Sequence, residues 1–206
     1  ISEKGGLLSA PDTYMEKIVV GSNLPKNLMD LDNGVEKNLK ILAQAKDKRV
    51  TDLNACVLKR ERHNHIVEVL EKMSVKINYI TDGDIAGALS VIGNKPKNDI
   101  YYSTGGAPEG VVVAAALSCY GGQIQGRLVL DDEEKVRARK LGITDFNKKY
   151  NIEDMVKGDV IFCATGVTSG DLAKGVVDLG NEYEVNTYVL HKSEKIIKSV
   201  TNIYNK

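Results

Sequence analysis

The chain has 206 residues, with 28 Lys+Arg against 28 Asp+Glu, and so no net charge. That balance argues against a nucleic-acid binder, which carries a basic excess. No apolar run reaches the roughly 20 residues of a membrane-spanning helix, and the three cysteines, Cys56, Cys119 and Cys163, form no CxxC pair and read as reduced thiols of a cytoplasmic protein.

The opening stretch "ISEKGGLLSAPDTYMEK" (1–17) begins without Met and without a helix start signal. It reads as the middle of something already under way, and an N-terminally truncated or processed chain is expected. Tyr14 is an aromatic in an aromatic-poor chain, and core packing is its default role. "GVEKNLKILAQAK" (34–46) has the periodicity of an amphipathic helix. Four units then repeat one rhythm, a β-rich run, a polar loop and a helical pattern. "NACVLK" (54–59) precedes "RERHNH" and "IVEVLEKM", and "VKINYI" (75–80) precedes "TDGD" and "IAGALSVI". "DIYYST" (99–104) precedes "GGAPEG" and "VVVAAALSCY", and "DVIFCAT" (159–165) precedes "GVTSGD" and "LAKGVV". This alternation predicts an α/β fold built on parallel βαβ units. "DDEEKVRARKLG" (131–142) reads as an exposed helix, acidic at its start and basic at its end, as the helix dipole prefers. "EYEVNTYVLHKSEKIIKSVTNIY" (182–204) alternates on both sides of "HKSEK" and predicts an antiparallel hairpin.

Parallel strands put their C-terminal ends on one edge of the sheet, where ligands bind. The four polar loops should therefore bring Arg60 and Arg62, Asp82 and Asp84, the Gly105–Glu109 turn, and the stretch from Thr165 to Asp171 to one rim. Cations, carboxylates, hydroxyls and glycine-bared backbone suit a phosphorylated ligand with a divalent cation. Each feature also has a plainer reading. In "GGAPEG", Pro108 suits a first helical turn, and Glu109 there stabilises the helix by about 0.3–1 kcal/mol without any ligand. What favours a site is the helix behind it, apolar on all sides, which would hold its polar start rigidly in the crevice. "DGD" (82–84) is a tight turn with an N-cap, or a pair of carboxylates for sugar hydroxyls or a cation. "RER" (60–62) is a solvated surface, or a phosphate clamp. His63 and His65, two residues apart at a helix start, do not face each other and are not read as ligands or bases. "ATGVTSGD" (164–171) matches no phosphate-loop motif, and a helix entry capped by Thr168 or Ser169 accounts for it.

Taken together, "APDTYMEKIVVG", "RERH", "DGDIAGA", "GGAPEGVVVAAAL", "GRLVL" and "FCATGVTSGDLAKGV" resemble the bacterial class II fructose-1,6-bisphosphatases in order and approximate spacing, over essentially the whole chain. The resemblance implies a layered α/β sugar-phosphatase fold related to inositol monophosphatase. It implies removal of the 1-phosphate of fructose 1,6-bisphosphate or, as an alternative, a dual enzyme that also takes sedoheptulose 1,7-bisphosphate, and a Mg²⁺ or Mn²⁺ cofactor. It implies that residues 1–50 are the remainder of an N-terminal phosphatase domain. Residues 51–206 would then be a C-terminal sugar-phosphate-binding domain, with the 182–204 hairpin packing back on the first. Carried over by position, Glu109 matches a metal-ligating glutamate and Gly106 a backbone contact to substrate. Asp82, Gly83 and Asp84 match the segment that binds sugar hydroxyls. Tyr14, Arg60, Glu61 and Arg62 fall on substrate contacts. Where the family has a basic–Pro–Arg triplet, this chain has Arg60–Glu61–Arg62, which frees the turn and adds a negative charge. The family's other metal-binding acids and its catalytic threonine are expected upstream of Ile1. The resemblance therefore implies the C-terminal portion of an enzyme, or a sugar-phosphate-binding domain without catalysis. Its partners would be the sugar bisphosphate and a second copy or the N-terminal part, with neither nucleic acid nor membrane.

Overall fold

The computed structural model describes residues 1–93, 95–170 and 172–206. Six strands, β1 (Tyr14–Val20), β2 (Asn54–Leu58), β3 (Lys76–Ile80), β4 (Ile100–Gly106), β5 (Gln123–Val129) and β6 (Lys149–Tyr150), form one sheet in the order β3-β2-β4-β1-β5-β6. Strand β2 runs parallel to β3 and to β4, as expected of βαβ units. The other half is antiparallel, because β1 opposes both β4 and β5, and β5 opposes β6. The expected boundary near residue 50 has β1 on one side and both of its partner strands on the other.

Both faces of the sheet are covered. Helices α1 (Gly34–Ala45) and α2 (Asn64–Lys72) lie on one face. Their buried Leu39, Leu42, Ile66 and Leu70, at helical spacing, meet Ile18, Val20, Ala55, Val57 and Ile100. Helices α3 (Asp84–Leu89), α4 (Ala107–Tyr120) and α6 (Ile152–Met155) cover the other face, where Leu89, Val113, Leu117 and Met155 pack with Met15, Val19 and Leu128. Helix α5 (Asp132–Lys140) follows the predicted charge pattern and starts on a capping box between Asp131 and Glu134.

A second sheet closes over α4. It contains β7 (Ile161–Thr165), β9 (Glu182–His191) and β10 (Ile196–Asn205) in the order β10-β9-β7, with β8 (Val177–Asp178) also paired to β9. Phe162 and Leu190 join the same core as Val113 and Leu117. Helix α4 is thus sandwiched between two sheets, and its sequence has no polar stripe for that reason. It stops where Gly121 takes φ +93°, a conformation that suits glycine.

The predicted hairpin is β9 and β10, paired from Glu182↔Asn205 to His191↔Ile196. The fourth expected βαβ unit is not formed. Strand β7 runs antiparallel to β9 in the second sheet, and residues 172–176 make no helix before β8. The pattern "DVIFCAT" was read correctly as a strand, but its direction depends on a partner more than 20 residues away.

One ionised side chain ties the hairpin turn to the entry of β7. Asp159 accepts from His191 Nε2 at 2.8 Å, from Ser193 Oγ at 2.8 Å and from the Ser193 N–H at 3.0 Å. The His191 and Ser193 hydrogen bonds lower its pKa from the ordinary 3.8 to about 2. A carboxyl depressed in the folded state adds stability above its unfolded pKa, and that stability is lost as pH falls through the folded value. Asp159→Asn should therefore melt below wild type at pH 5, with the gap closing as pH is lowered from about 4 towards 2. Thermal melts of both proteins across that range check this. A gap that does not change with pH would mean that the charge of Asp159 is not what holds the turn.

Candidate functional site

The parallel half of the sheet delivers one rim, made by the ends of β2, β3 and β4. Because β1 opposes β4, its first residue joins them: Tyr14 lies opposite Gly106, the last residue of β4. Tyr14 is 51% exposed there rather than packed in the core. Arg62, just past β2, lays its guanidinium 4.9 Å from the centre of the Tyr14 ring. Its Nε donates to the Thr104 carbonyl at 2.7 Å. Stacking and hydrogen bond together hold the fork in one plane. The Nη groups of Arg62 donate to no described residue, which leaves them available to an anion.

His63 supports this corner from beneath. It is fully buried, its Nδ1–H donates to the Leu58 carbonyl at 2.6 Å, and its Nε2 accepts from the Thr104 N–H at 2.8 Å. That pattern requires the neutral ring. Burial, the largest influence, pulls its pKa below the ordinary imidazole value. His63 is a brace between β2 and β4, and His65 is exposed.

The second part of the rim is the β4–α4 turn. Gly106 precedes the helix, Pro108 sits in its first turn, and Glu109 is exposed in that same turn. The Glu109 carboxylate curls back over Gly106, where an added Cβ would stand 3.0 Å from Oε2. Beside it is the "DGD" turn. Asp82 is exposed and accepts from the Gly83 N–H at 2.8 Å, and Gly83 takes φ +82°. Asp84 behaves differently. It is buried, and its carboxylate accepts from Lys17 Nζ, Tyr101 Oη and Ser103 Oγ. Burial, its largest single influence, pushes its pKa up, but Lys17 and the two hydroxyls outweigh that and hold it below the usual carboxylate value.

Of the residues singled out in the sequence, the structure draws Tyr14, Arg62, Gly106 and Glu109 to the facing ends of β1 and β4 and the elements that follow. It also puts Asp84 against Gly105, since a Cβ on that glycine would stand 2.7 Å from Asp84 Oδ2. Arg60 and Glu61 lie at the ends of β2 and β3. They line a groove of ≈ 580 Å³ with Lys59, Asn64, Val67 and Tyr79, and Arg62 is not part of its lining. The glycine-rich stretch 164–170 belongs to the second sheet and closes on itself. Gly175 N–H donates to Ser169 Oγ at 3.0 Å, and Val176 N–H to the Val167 carbonyl at 3.2 Å. It does not cap a helix as expected, and the parallel-edge argument does not extend to it; Asp171 lies outside the described residues. Sequence reasoning missed Lys17. The available signal was a lysine at the alternate position between Met15 and Val19, on the face of a strand that had to be buried.

Glu109 is one hard anionic ligand of the kind Mg²⁺ or Mn²⁺ takes. Such a cation needs about six oxygens, and among the described residues no three His, Cys, Asp or Glu side chains are grouped to hold a metal ion. The described residues alone therefore do not fit a complete metal site. Among them, no helix is long and apolar enough to cross a membrane.

Comparison with known proteins bears on this rim. A family profile described as "Bacterial fructose-1,6-bisphosphatase, glpX-encoded" matches residues 1–204. A Synechococcus protein named "D-fructose 1,6-bisphosphatase class 2/sedoheptulose 1,7-bisphosphatase" is 37% identical over 220 residues, covering 100% of this chain and 63% of the relative. A Haemophilus influenzae protein named "Fructose-1,6-bisphosphatase class 2" is 35% identical over 216 residues, covering 98% of this chain and 64% of the relative. An Acaryochloris marina protein with the dual name is 34% identical over 218 residues, covering 99% and 62%. The chain thus spans somewhat under two thirds of the length of these relatives. With nearly every residue inside the match, the chain belongs to the bacterial class II fructose-1,6-bisphosphatase family.

Proposed function

We propose that this chain forms the sugar-phosphate-binding part of a cytoplasmic bisphosphatase. The intact enzyme would remove the 1-phosphate of fructose 1,6-bisphosphate to leave fructose 6-phosphate, and would also act on sedoheptulose 1,7-bisphosphate. The dual printed names of two of the relatives above support the second substrate. The observation that carries the reading is Arg62, stacked on Tyr14 with its Nη groups free, beside the glycine turn that opens α4.

The roles follow from the geometry. Arg62 would take the distal, non-reacting phosphate bidentately. The remaining first-turn N–H of α4, that of Glu109, would favour a phosphate or sugar oxygen beside Gly106. Asp82 keeps carboxylate lone pairs beyond the one given to Gly83, and would meet sugar hydroxyls. The reacting phosphate would then lie towards Glu109. A divalent cation in the intact enzyme would supply charge neutralisation there, and Glu109 would offer it one oxygen. The single carboxylate favours a companion reading, in which this chain alone binds sugar phosphates and does not turn them over. The remaining ligands would come from residues that the relatives carry beyond the matched length, or from a second polypeptide.

Three outcomes are expected. First, this chain with Mn²⁺ should bind fructose 6-phosphate in calorimetry and release negligible phosphate from fructose 1,6-bisphosphate. Robust turnover would show that further metal ligands are not required. Second, Arg62→Ala should weaken binding of the bisphosphate about ten- to a hundred-fold, as expected for a charge-assisted contact of about 1.5–3 kcal/mol. The effect should nearly vanish for a sugar lacking the distal phosphate, and an equal loss for both ligands would reverse the placement of the two phosphates. Third, in a full-length enzyme, Glu109→Gln should lower kcat far more than it raises KM. A near-normal kcat would reduce Glu109 to a helix cap.

A further inference from the structure

Lys17 stands in the middle of β1 with its side chain fully buried. A strand lysine normally snorkels its ammonium to water. Here the stem runs under α4, where Gly110 leaves room for it: a Cβ on Gly110 would stand 3.2 Å from Lys17 Cδ. The ammonium ends between two groups. One is the carboxylate of Asp84, and the other is the Gly106 carbonyl at 3.2 Å. Tyr101 and Ser103, both on β4, donate to the other oxygen of Asp84. Gly105 lets that carboxylate in, since any Cβ would collide with it. Two of the three glycines of "GGAPEG", Gly105 and Gly110, are therefore accounted for by one buried pair. Gly105 admits Asp84, Gly106 turns its carbonyl to Lys17, and Gly110 admits the lysine stem.

A buried ion pair is a poor way to gain stability, because apolar residues of like volume usually serve as well or better. What it does give is a fixed direction. The peptide unit between Gly106 and Ala107 turns β4 into α4. Its carbonyl is held by Lys17, and its N–H donates to the Thr13 carbonyl at 2.8 Å. Pinned from both sides, that unit cannot rotate, and it sets where the first turn of α4 points.

We propose that Lys17 is a positioning residue for the sugar-phosphate rim: its ammonium, anchored by Asp84, fixes the Gly106 peptide so that Glu109, in the first turn of α4, faces the ligand. The ligand part of this inference rests on the function proposed above. Asp84, in the segment matched to sugar-hydroxyl binding, then acts through Lys17 and not by touching the sugar. The pKa of Asp84 stays below the usual carboxylate value, because the lysine and the two hydroxyls outweigh the burial that would otherwise raise it.

The test separates position from stability. Lys17→Met leaves a buried carboxylate unpaired and should melt well below wild type. Lys17→Met/Asp84→Asn removes both charges and should recover most of that loss. If Lys17 positions the corner, the double variant nevertheless exchanges its Ala107 amide at least about tenfold faster, and its Kd for fructose 6-phosphate rises about ten- to a hundred-fold. A double variant that regains wild-type melting, wild-type exchange at Ala107 and wild-type Kd together overturns the proposal. A measurement on the unaltered chain covers the case in which neither variant folds. The Ala107 amide should exchange as slowly as the core amides of α4, and fast exchange there overturns the proposal by itself. If the unaltered chain binds no sugar phosphate, the functional reading fails and takes the ligand half of this inference with it, while exchange at Ala107 still decides whether the corner is pinned.

Discussion

The contact between Lys17 and Asp84 joins elements that the chain order keeps far apart. Lys17 lies on β1, Asp84 opens α3, Tyr101 and Ser103 lie on β4, and Gly106 ends β4. Breaking one side would leave a charge in a core bounded by Met15, Val111 and Ala114, where an unpaired ion typically costs about 3–5 kcal/mol. The β1–β4 register, the start of α3 and the start of α4 are therefore coupled. A shift of one residue along β1 would put Lys17 on the opposite face, among Ile18 and Val20. The same register places Tyr14 opposite Gly106, and so brings Arg62, stacked on Tyr14, to the glycine turn. The interior of the sheet and the composition of its rim thus follow from one alignment.

Helix α4 extends that alignment to the second sheet. Its apolar surface is used on both sides, by Met15, Val19 and Leu128 of the first sheet and by Phe162 and Leu190 of the second. Each large side chain fully buried there is worth about 1.5–3 kcal/mol, so the helix has little freedom to slide. A helix fixed along its whole length has a fixed end, and the end of α4 is the rim. This is the physical content of reading an all-apolar helix behind a polar turn as a sign of a site.

Much of this was legible in the sequence, for identifiable reasons. Helices α1, α2 and α5 carry their periodicity and charge gradients locally, as does the β9–β10 hairpin. The parallel pairing of β2 with β3 and β4 follows from strand–helix alternation. Sheet order beyond that was not legible. Nothing within "YMEKIVV" says that the strand lies antiparallel between β4 and β5, and nothing within "IFCAT" assigns it to a second sheet, because both facts belong to distant partners. The same limit applied to the rim. The neighbours Arg60 and Arg62 have different surroundings that the sequence does not show: Arg60 lines a groove with Tyr79, and Arg62 stacks on Tyr14.

The "GGAPEG" stretch shows that one motif can answer to two demands at once. Glycines before a helix invite the idea that bare backbone faces a ligand. Here Gly105 and Gly110 face inward, against Asp84 and the stem of Lys17, and Gly106 is left under the Glu109 carboxylate at the surface. Two of the three glycines therefore serve the interior. The sequence signal was strong because interior and rim impose their demands on the same six residues. A side chain at Gly105 or Gly110 would be excluded by buried atoms whether or not a ligand ever bound, and the place where those exclusions meet is the one where α4 leaves the core and its first turn reaches solvent. The glycines mark the corner, and Arg62, Asp82 and Glu109 are charged groups exposed around it.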